Sequence, residues 1–116
     1  MSNYLAVFVG TRENMAPWMA MPEADRKVRE QEGIAAWKAW MERHRNVVVE
    51  VGGPLGKTKS VSRKGIADVS NGLSGFVVVR AESHEAAARL FEKHPHFMIF
   101  PGDAVEVMPV MPIPGG

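Results

Sequence analysis

Tyr4-Leu5-Ala6-Val7-Phe8-Val9-Gly10 is a short and almost wholly apolar run. A strand with one solvated face alternates apolar and polar residues. This one does not, so it reads as a central strand buried on both faces. Such a strand needs neighbours on either side, and three other segments supply them. Val47-Val48-Val49-Glu50-Val51 is β-branched, Phe76-Val77-Val78-Val79-Arg80 is a second buried strand, and Ala104-Val105-Glu106-Val107-Met108 alternates.

The intervening stretches read as connections and helices. Thr11 to Pro22, with Pro17 and Trp18, reads as a loop. Glu23 to Arg45 carries Val28, Ile34, Trp37, Trp40 and Met41 at helical spacing. Glu23 and Asp25 in its first turn and Arg43, His44 and Arg45 in its last suit the helix dipole. Gly52-Gly53-Pro54-Leu55-Gly56 reads as a turn region. Lys57 to Ile66 reads as an edge segment, with Lys57, Lys59, Arg63 and Lys64 resisting edge-to-edge pairing. Asn71-Gly72 signals a hairpin turn. Ser83 is placed to cap a helix that runs to Lys93 and stops before Pro95. Pro109, Pro112 and Pro114 predict an extended tail.

The order is therefore β-α-β-β-α-β in a single α+β domain spanning residues 1–116. This is the ferredoxin-like order, an antiparallel sheet with both helices on one face. The other face is apolar and the chain has no third helix for it. A second copy of the chain is the simplest cover, so a homodimer is expected.

Composition narrows the function. The chain has 116 residues, 46% apolar and 23% charged, which suits an ordinary globular domain. A formal net charge of +1 gives no field to gather nucleic acid. No aromatic residue lies between the cations of the basic cluster, so nucleic acid is not an expected partner. Cysteine is absent, which removes disulfides, thiolate catalysis and zinc-thiolate sites. The first ten residues do not resemble a signal peptide and no stretch approaches a membrane span, so a cytoplasmic protein without a membrane partner is expected. Gly56-Lys57-Thr58 fails as a phosphate loop, because the position five before Gly56 is Val51 and no helix pattern follows Thr58. No cofactor is expected.

Candidate site residues gather near the C-terminus, in His94-Pro95-His96-Phe97-Met98 and the segment that follows. Two histidines between a helix and a strand lie where small folds place ligand-handling groups. Imidazole also suits proton transfer near neutral pH. His94 and His96 lack an evident third metal ligand, Asp103 and Glu106 being the nearest candidates, so no metal is expected. The plainer alternative has His94 capping the end of the second helix and His96 packing near the sheet. Asp68 and Asn71 precede the Phe76 strand. Asp68 is a candidate to orient a histidine, against an alternative in which both residues form a turn. Trp18 and Trp37 are candidates to line a pocket and stack on a flat ligand.

The opening Tyr4 to Val9, the Gly52-Gly53-Pro54-Leu55 segment, Gly75-Phe76-Val77-Val78-Val79, the alanine-rich Ser83 to Phe91 and the closing Val105-Glu106-Val107-Met108-Pro109 together resemble the YCII-related family. The resemblance covers nearly all of the chain. It implies a dimeric α+β barrel with a pocket between sheet and helices. It also implies kinship with relatives that use a histidine and aspartate pair and with a dehydrochlorinase-type lyase branch. The chain departs from the family where relatives carry a helix-one histidine, since Gln31 to Trp37 has none. It also lacks the Asp-Gly-Pro-Phe motif of a large branch, reading Asp68-Val69-Ser70-Asn71-Gly72-Leu73-Ser74-Gly75 there.

Two functions are thus expected in competition. One is a homodimeric acid-base enzyme of lyase or isomerase type acting on a small molecule. His96 moves the proton, Asp68 orients it, and His94, Asn71, Trp18 and Trp37 line the ligand site. The other is a non-catalytic module that binds a small ligand and whose histidines are structural.

Overall fold

The structure is a computed structural model that describes residues 1–115. Its elements are β1 (Ser2–Val9), α1 (Arg12–Ala20), α2 (Glu23–Arg43), β2 (Val48–Pro54), β3 (Thr58–Ser62), β4 (Gly65–Val69), β5 (Leu73–Ala81), α3 (His84–Arg89), α4 (Pro95–Met98) and β6 (Ala104–Pro109). Four strands form an antiparallel sheet in the order β2-β5-β1-β6, with β1 at its centre as its uninterrupted apolar run requires. This is the ferredoxin-like arrangement.

Alternation along β1 sends Tyr4, Ala6 and Phe8 to one face. They meet Val77, Val79 and Ala81 of β5, Trp40 of α2, Ala87 of α3 and Phe91 in one buried cluster. Trp40 Nε1 donates to the Leu90 carbonyl (2.8 Å), which ties α2 to the end of α3. The register pairs Leu5 with Val78 and Met108, and Val7 with Phe76 and Glu106, on the opposite face. None of these side chains belongs to the helix-covered core.

Several boundaries differ from the sequence reading, each for a local reason. Thr11 to Pro22 is largely a helix: the Thr11 hydroxyl accepts from the Asn14 N–H (3.2 Å) and starts α1, and Pro17 falls late enough for the first turns to form. Lys57 to Ile66 is not an edge of the main sheet. It turns back at Arg63-Lys64, so that β3 and β4 form a separate hairpin with Ser62 opposite Gly65. Asn71-Gly72 is consequently no hairpin turn. The Asn71 side chain instead accepts from the Leu73 N–H (3.0 Å), a local bend of the kind asparagine makes with its own backbone. Ser83 caps α3 as its position suggests, accepting from the Ala86 N–H (3.0 Å), but the regular helix ends at Arg89.

The Gly52-Gly53-Pro54 segment is strand, not turn. β2 is irregular against β5, pairing Val48 with Val79, Glu50 with Val78 and Gly53 with Phe76. Gly52 absorbs the irregularity at φ +64°, and a Cβ there would collide with the Phe76 carbonyl. Gly53 has open space around it. Gly52→Ala is therefore expected to cost about 2 kcal/mol or more, from the left-handed backbone and the collision together. Gly53→Ala is expected to stay within about 1 kcal/mol of wild type, and urea denaturation of the two variants compares them directly.

Candidate functional site

α4 is short and starts at the His94-Pro95-His96 stretch. Pro95 occupies the first helical position, where its fixed φ suits the turn and its missing N–H costs nothing. His94 is the N-cap: its Nδ1 accepts from the backbone N–H of His96 (3.0 Å). The carbonyl of His96 in turn accepts from the Gly102 N–H (2.9 Å). A Cβ on Gly102 would collide with the His96 ring, so the chain passes flat against the imidazole. The plainer alternative from the sequence has His94 closing the second helix. It opens the next one instead.

The ring of His96 is fixed as well. Its Nε2 lies 2.8 Å from the Val9 carbonyl at the end of β1. A carbonyl oxygen only accepts, so Nε2 carries the hydrogen and donates it. In the neutral ring this leaves the lone pair on Nδ1, the nitrogen that can take a proton. The same Val9 carbonyl accepts from the Asp103 N–H (2.9 Å), so both its lone pairs are engaged. Asp103 itself is held at the start of α1, accepting from Thr11 and from the Asn14 side chain (2.8 Å).

His94 lies beneath His96 with no exposed surface. Its ring packs perpendicular to Trp37 (4.6 Å between centroids) and close to Phe8, Trp40 and Phe91. Burial pushes its pKa down to about 3, with further lowering from His96 and His44. It is neutral, with Nδ1 accepting and the hydrogen on Nε2. That Nε2 has no hydrogen-bond partner. His94 therefore lies beneath the site and lines neither lobe of the cleft above it.

Above His96 lies a cleft with two lobes. The inner lobe, about 580 Å³, runs between α2 and the β2-β5 side of the sheet, against Phe8, Trp37, Met41, Pro54 and Phe76. The outer lobe, about 560 Å³, lies beside α1 and is lined by Thr11, Arg12, Trp18, Glu30 and Asn71. Ile34, Ser74, His96 and Phe100 line both lobes, so the two meet at His96. Each lobe is in the size range of small-molecule sites. Trp37, Trp18 and Asn71 thus reach the same cleft as His96.

Asp68 does not. It sits on β4 directly opposite Lys59 of β3, and its carboxylate accepts from Lys59 Nζ (2.6 Å) on the solvent side of the hairpin. It lines a separate cavity of about 540 Å³ with Lys57, Lys59 and Asn71. No hydrogen bond and no shared lobe joins Asp68 to His96 within the chain. Val9 holds the position on His96 that the sequence reading gives to Asp68. A backbone carbonyl leaves no trace in residue identities, which is why that reading missed it. Ser74, whose hydroxyl donates to the Phe8 carbonyl (3.0 Å) between the lobes, also carries no sequence signal. Among the described residues no three His, Cys, Asp or Glu side chains converge, and no helix is long and apolar enough to cross a membrane.

No family model matches the chain, and no curated protein matches it. Among solved structures, it is similar to 5-chloro-2-hydroxyhydroquinone dehydrochlorinase from Burkholderia phenoliruptrix AC1100, in complex with 2,5-dihydroxybenzoquinone. The TM-score is 0.56 and the identity 18%, over 94% of this chain and 93% of that one. The likeness is one of fold: the mixed α+β arrangement of helices on an antiparallel sheet is shared along nearly the whole of both chains.

Proposed function

We propose that the chain is a small-molecule enzyme of acid-base type, with His96 as the group that moves the proton. The observation that carries this reading is the Val9 carbonyl on His96 Nε2, which commits one ring nitrogen and leaves the lone pair on Nδ1 of a ring that lines both lobes. Trp37 and Phe8 favour a flat, largely apolar substrate in the inner lobe. A fold neighbour that binds a dihydroxybenzoquinone and the YCII-related resemblance support the same direction. The test is a thermal-shift titration with 2,5-dihydroxybenzoquinone and a panel of substituted phenols. A ligand at about 100 times its Kd raises stability by about 2.7 kcal/mol. His96→Gln is expected to lose most of that rise, and Asp68→Asn to keep it. A loss in the Asp68 variant restores Asp68 to the site. No rise with any probe in wild type removes the reading and leaves the structural role of the histidines, to which the burial of His94 already points.

We also propose that the protein works as a cytoplasmic homodimer in a two-fold barrel. On the sheet face away from the helices Met108 is exposed and Leu5, Phe76 and Val78 are half-buried. The β3-β4 hairpin exposes Val61 (77%) and Ile66 (72%), which face each other across the strands. Exposed apolar area forfeits roughly 25 cal/mol per Å², and a second copy removes that exposure. Light scattering at micromolar concentration is expected to give twice the 12.8 kDa chain mass. A stable particle of chain mass would dismiss the barrel.

A further inference from the structure

We infer that His94 is a positioning residue for His96, holding the backbone of its neighbour through a side-chain hydrogen bond so that the His96 ring keeps one tautomer and one place in the cleft. This rests on His96 being the proton-moving group. His94 and His96 are N-cap and second residue of α4, with Pro95 rigid between them. The N–H of His96 goes to His94 Nδ1, its carbonyl goes to Gly102, and its ring goes to Val9. Every polar group of His96 except Nδ1 is thereby assigned.

The choice of histidine as the cap is costly. Asparagine, aspartate or serine caps a helix without burying an unpartnered N–H, whereas His94 leaves Nε2 buried and unpaired. A helix of four residues hardly needs a strong cap for its own sake. What histidine adds is reach. Its ring extends into the space between Phe8, Trp37, Trp40 and Phe91, while Nδ1 stays on the His96 amide. The position of His96 is thus referred to the rigid core instead of to a four-residue helix in isolation. The low pKa of His94 keeps Nδ1 free to accept throughout the neutral range.

Two variants separate positioning from filling. His94→Asn retains a cap acceptor but vacates the aromatic space. His94→Phe fills the space but cannot accept. Nitrogen-15 NMR of the His96 ring reads the tautomer directly, without any ligand, and urea denaturation reads stability separately. The expected result is an Nε2–H tautomer for His96 in wild type and His94→Asn, and mixed tautomers in His94→Phe. Binding of 2,5-dihydroxybenzoquinone should weaken by about tenfold or more in His94→Phe, and less in His94→Asn. A wild-type tautomer in His94→Phe, or equal scrambling in both variants, would overturn the inference. Hydrogen exchange on the wild-type protein covers the case in which a variant fails to fold. The His96 amide should be protected like those of β1, and rapid exchange there would sink the proposal. If the tautomer responds as expected but no probe binds, the positioning stands and the proposed enzyme falls.

Discussion

Acidification from pH 6.5 to pH 3 is expected to remove on the order of 4 kcal/mol of folding free energy through His94 alone. In the folded chain burial holds this imidazole neutral down to about pH 3. In the unfolded chain it takes a proton near its ordinary value of 6.5. Between those values the unfolded state binds more protons, so stability falls as the pH falls. Above the window both states are neutral and the contribution is fully present; below it both are charged and nothing more is lost. The slope approaches about 1.4 kcal/mol per pH unit inside the window. Protonation also removes the Nδ1 lone pair, so the bond to His96 goes with it. Carboxylates contribute to any acid transition, and His94→Asn isolates the histidine because asparagine does not titrate. Urea denaturation at several pH values should show the wild type losing stability faster than the variant. Parallel profiles would mean that the His94 ring is solvated.

Trp40→Ala should cost about 4 kcal/mol. Trp40 is 2% exposed and lies at the middle of the helix-sheet contact, stacked on Phe91 at 5.0 Å. Truncation opens a large void and also strips the Leu90 carbonyl of the indole N–H. Total stabilities of domains this size run to about 5–15 kcal/mol, so the variant gives up a large share of the whole. Trp40→Phe keeps most of the ring and loses the hydrogen bond, for an expected cost of about 1–3 kcal/mol. Denaturation midpoints of the two variants check both figures. Equal midpoints would mean that the hydrogen bond, and not the packing, carries the contact.

The parts of this fold written in side-chain pattern could be read from residues alone. Tyr4 to Val9 announced a central strand because no polar residue interrupts it. Trp37, Trp40 and Met41 announced the buried side of α2, and Ser83 its capping role. Where geometry depends on backbone, the pattern was silent or misleading. Pro17 suggested a loop although Thr11 and Asp103 hold a helix there. Asn71-Gly72 looked like a hairpin turn, while the true turn is Arg63-Lys64, a pair that reads from its charges as part of a protected edge. For the site, His96, Trp18, Trp37 and Asn71 were legible as polar or aromatic side chains near element ends, and the structure brings them to one cleft. The partner of His96 was not legible, because it is the carbonyl of a valine. Asp68 drew notice by its chemistry, but strand register gives it to Lys59.

The hairpin also says something about how the chain is divided. The Leu55 N–H donates to the Ser74 carbonyl (3.0 Å), so the segment between them leaves and rejoins the sheet at a single closed point. Neither β3 nor β4 is part of the four-stranded ladder. The residues from 56 to 71 are therefore an excursion with its neck already tied, and a short turn can replace most of it without moving a strand. A shortened chain would surrender Asp68 and the third cavity, and Asn71 from the rim of the outer lobe. It would keep His94, His96, Val9 and the whole aromatic floor. Within one protomer, length here is a separable quantity: the excursion adds no strand to the four-stranded sheet, so its size is set by what it meets outside the protomer.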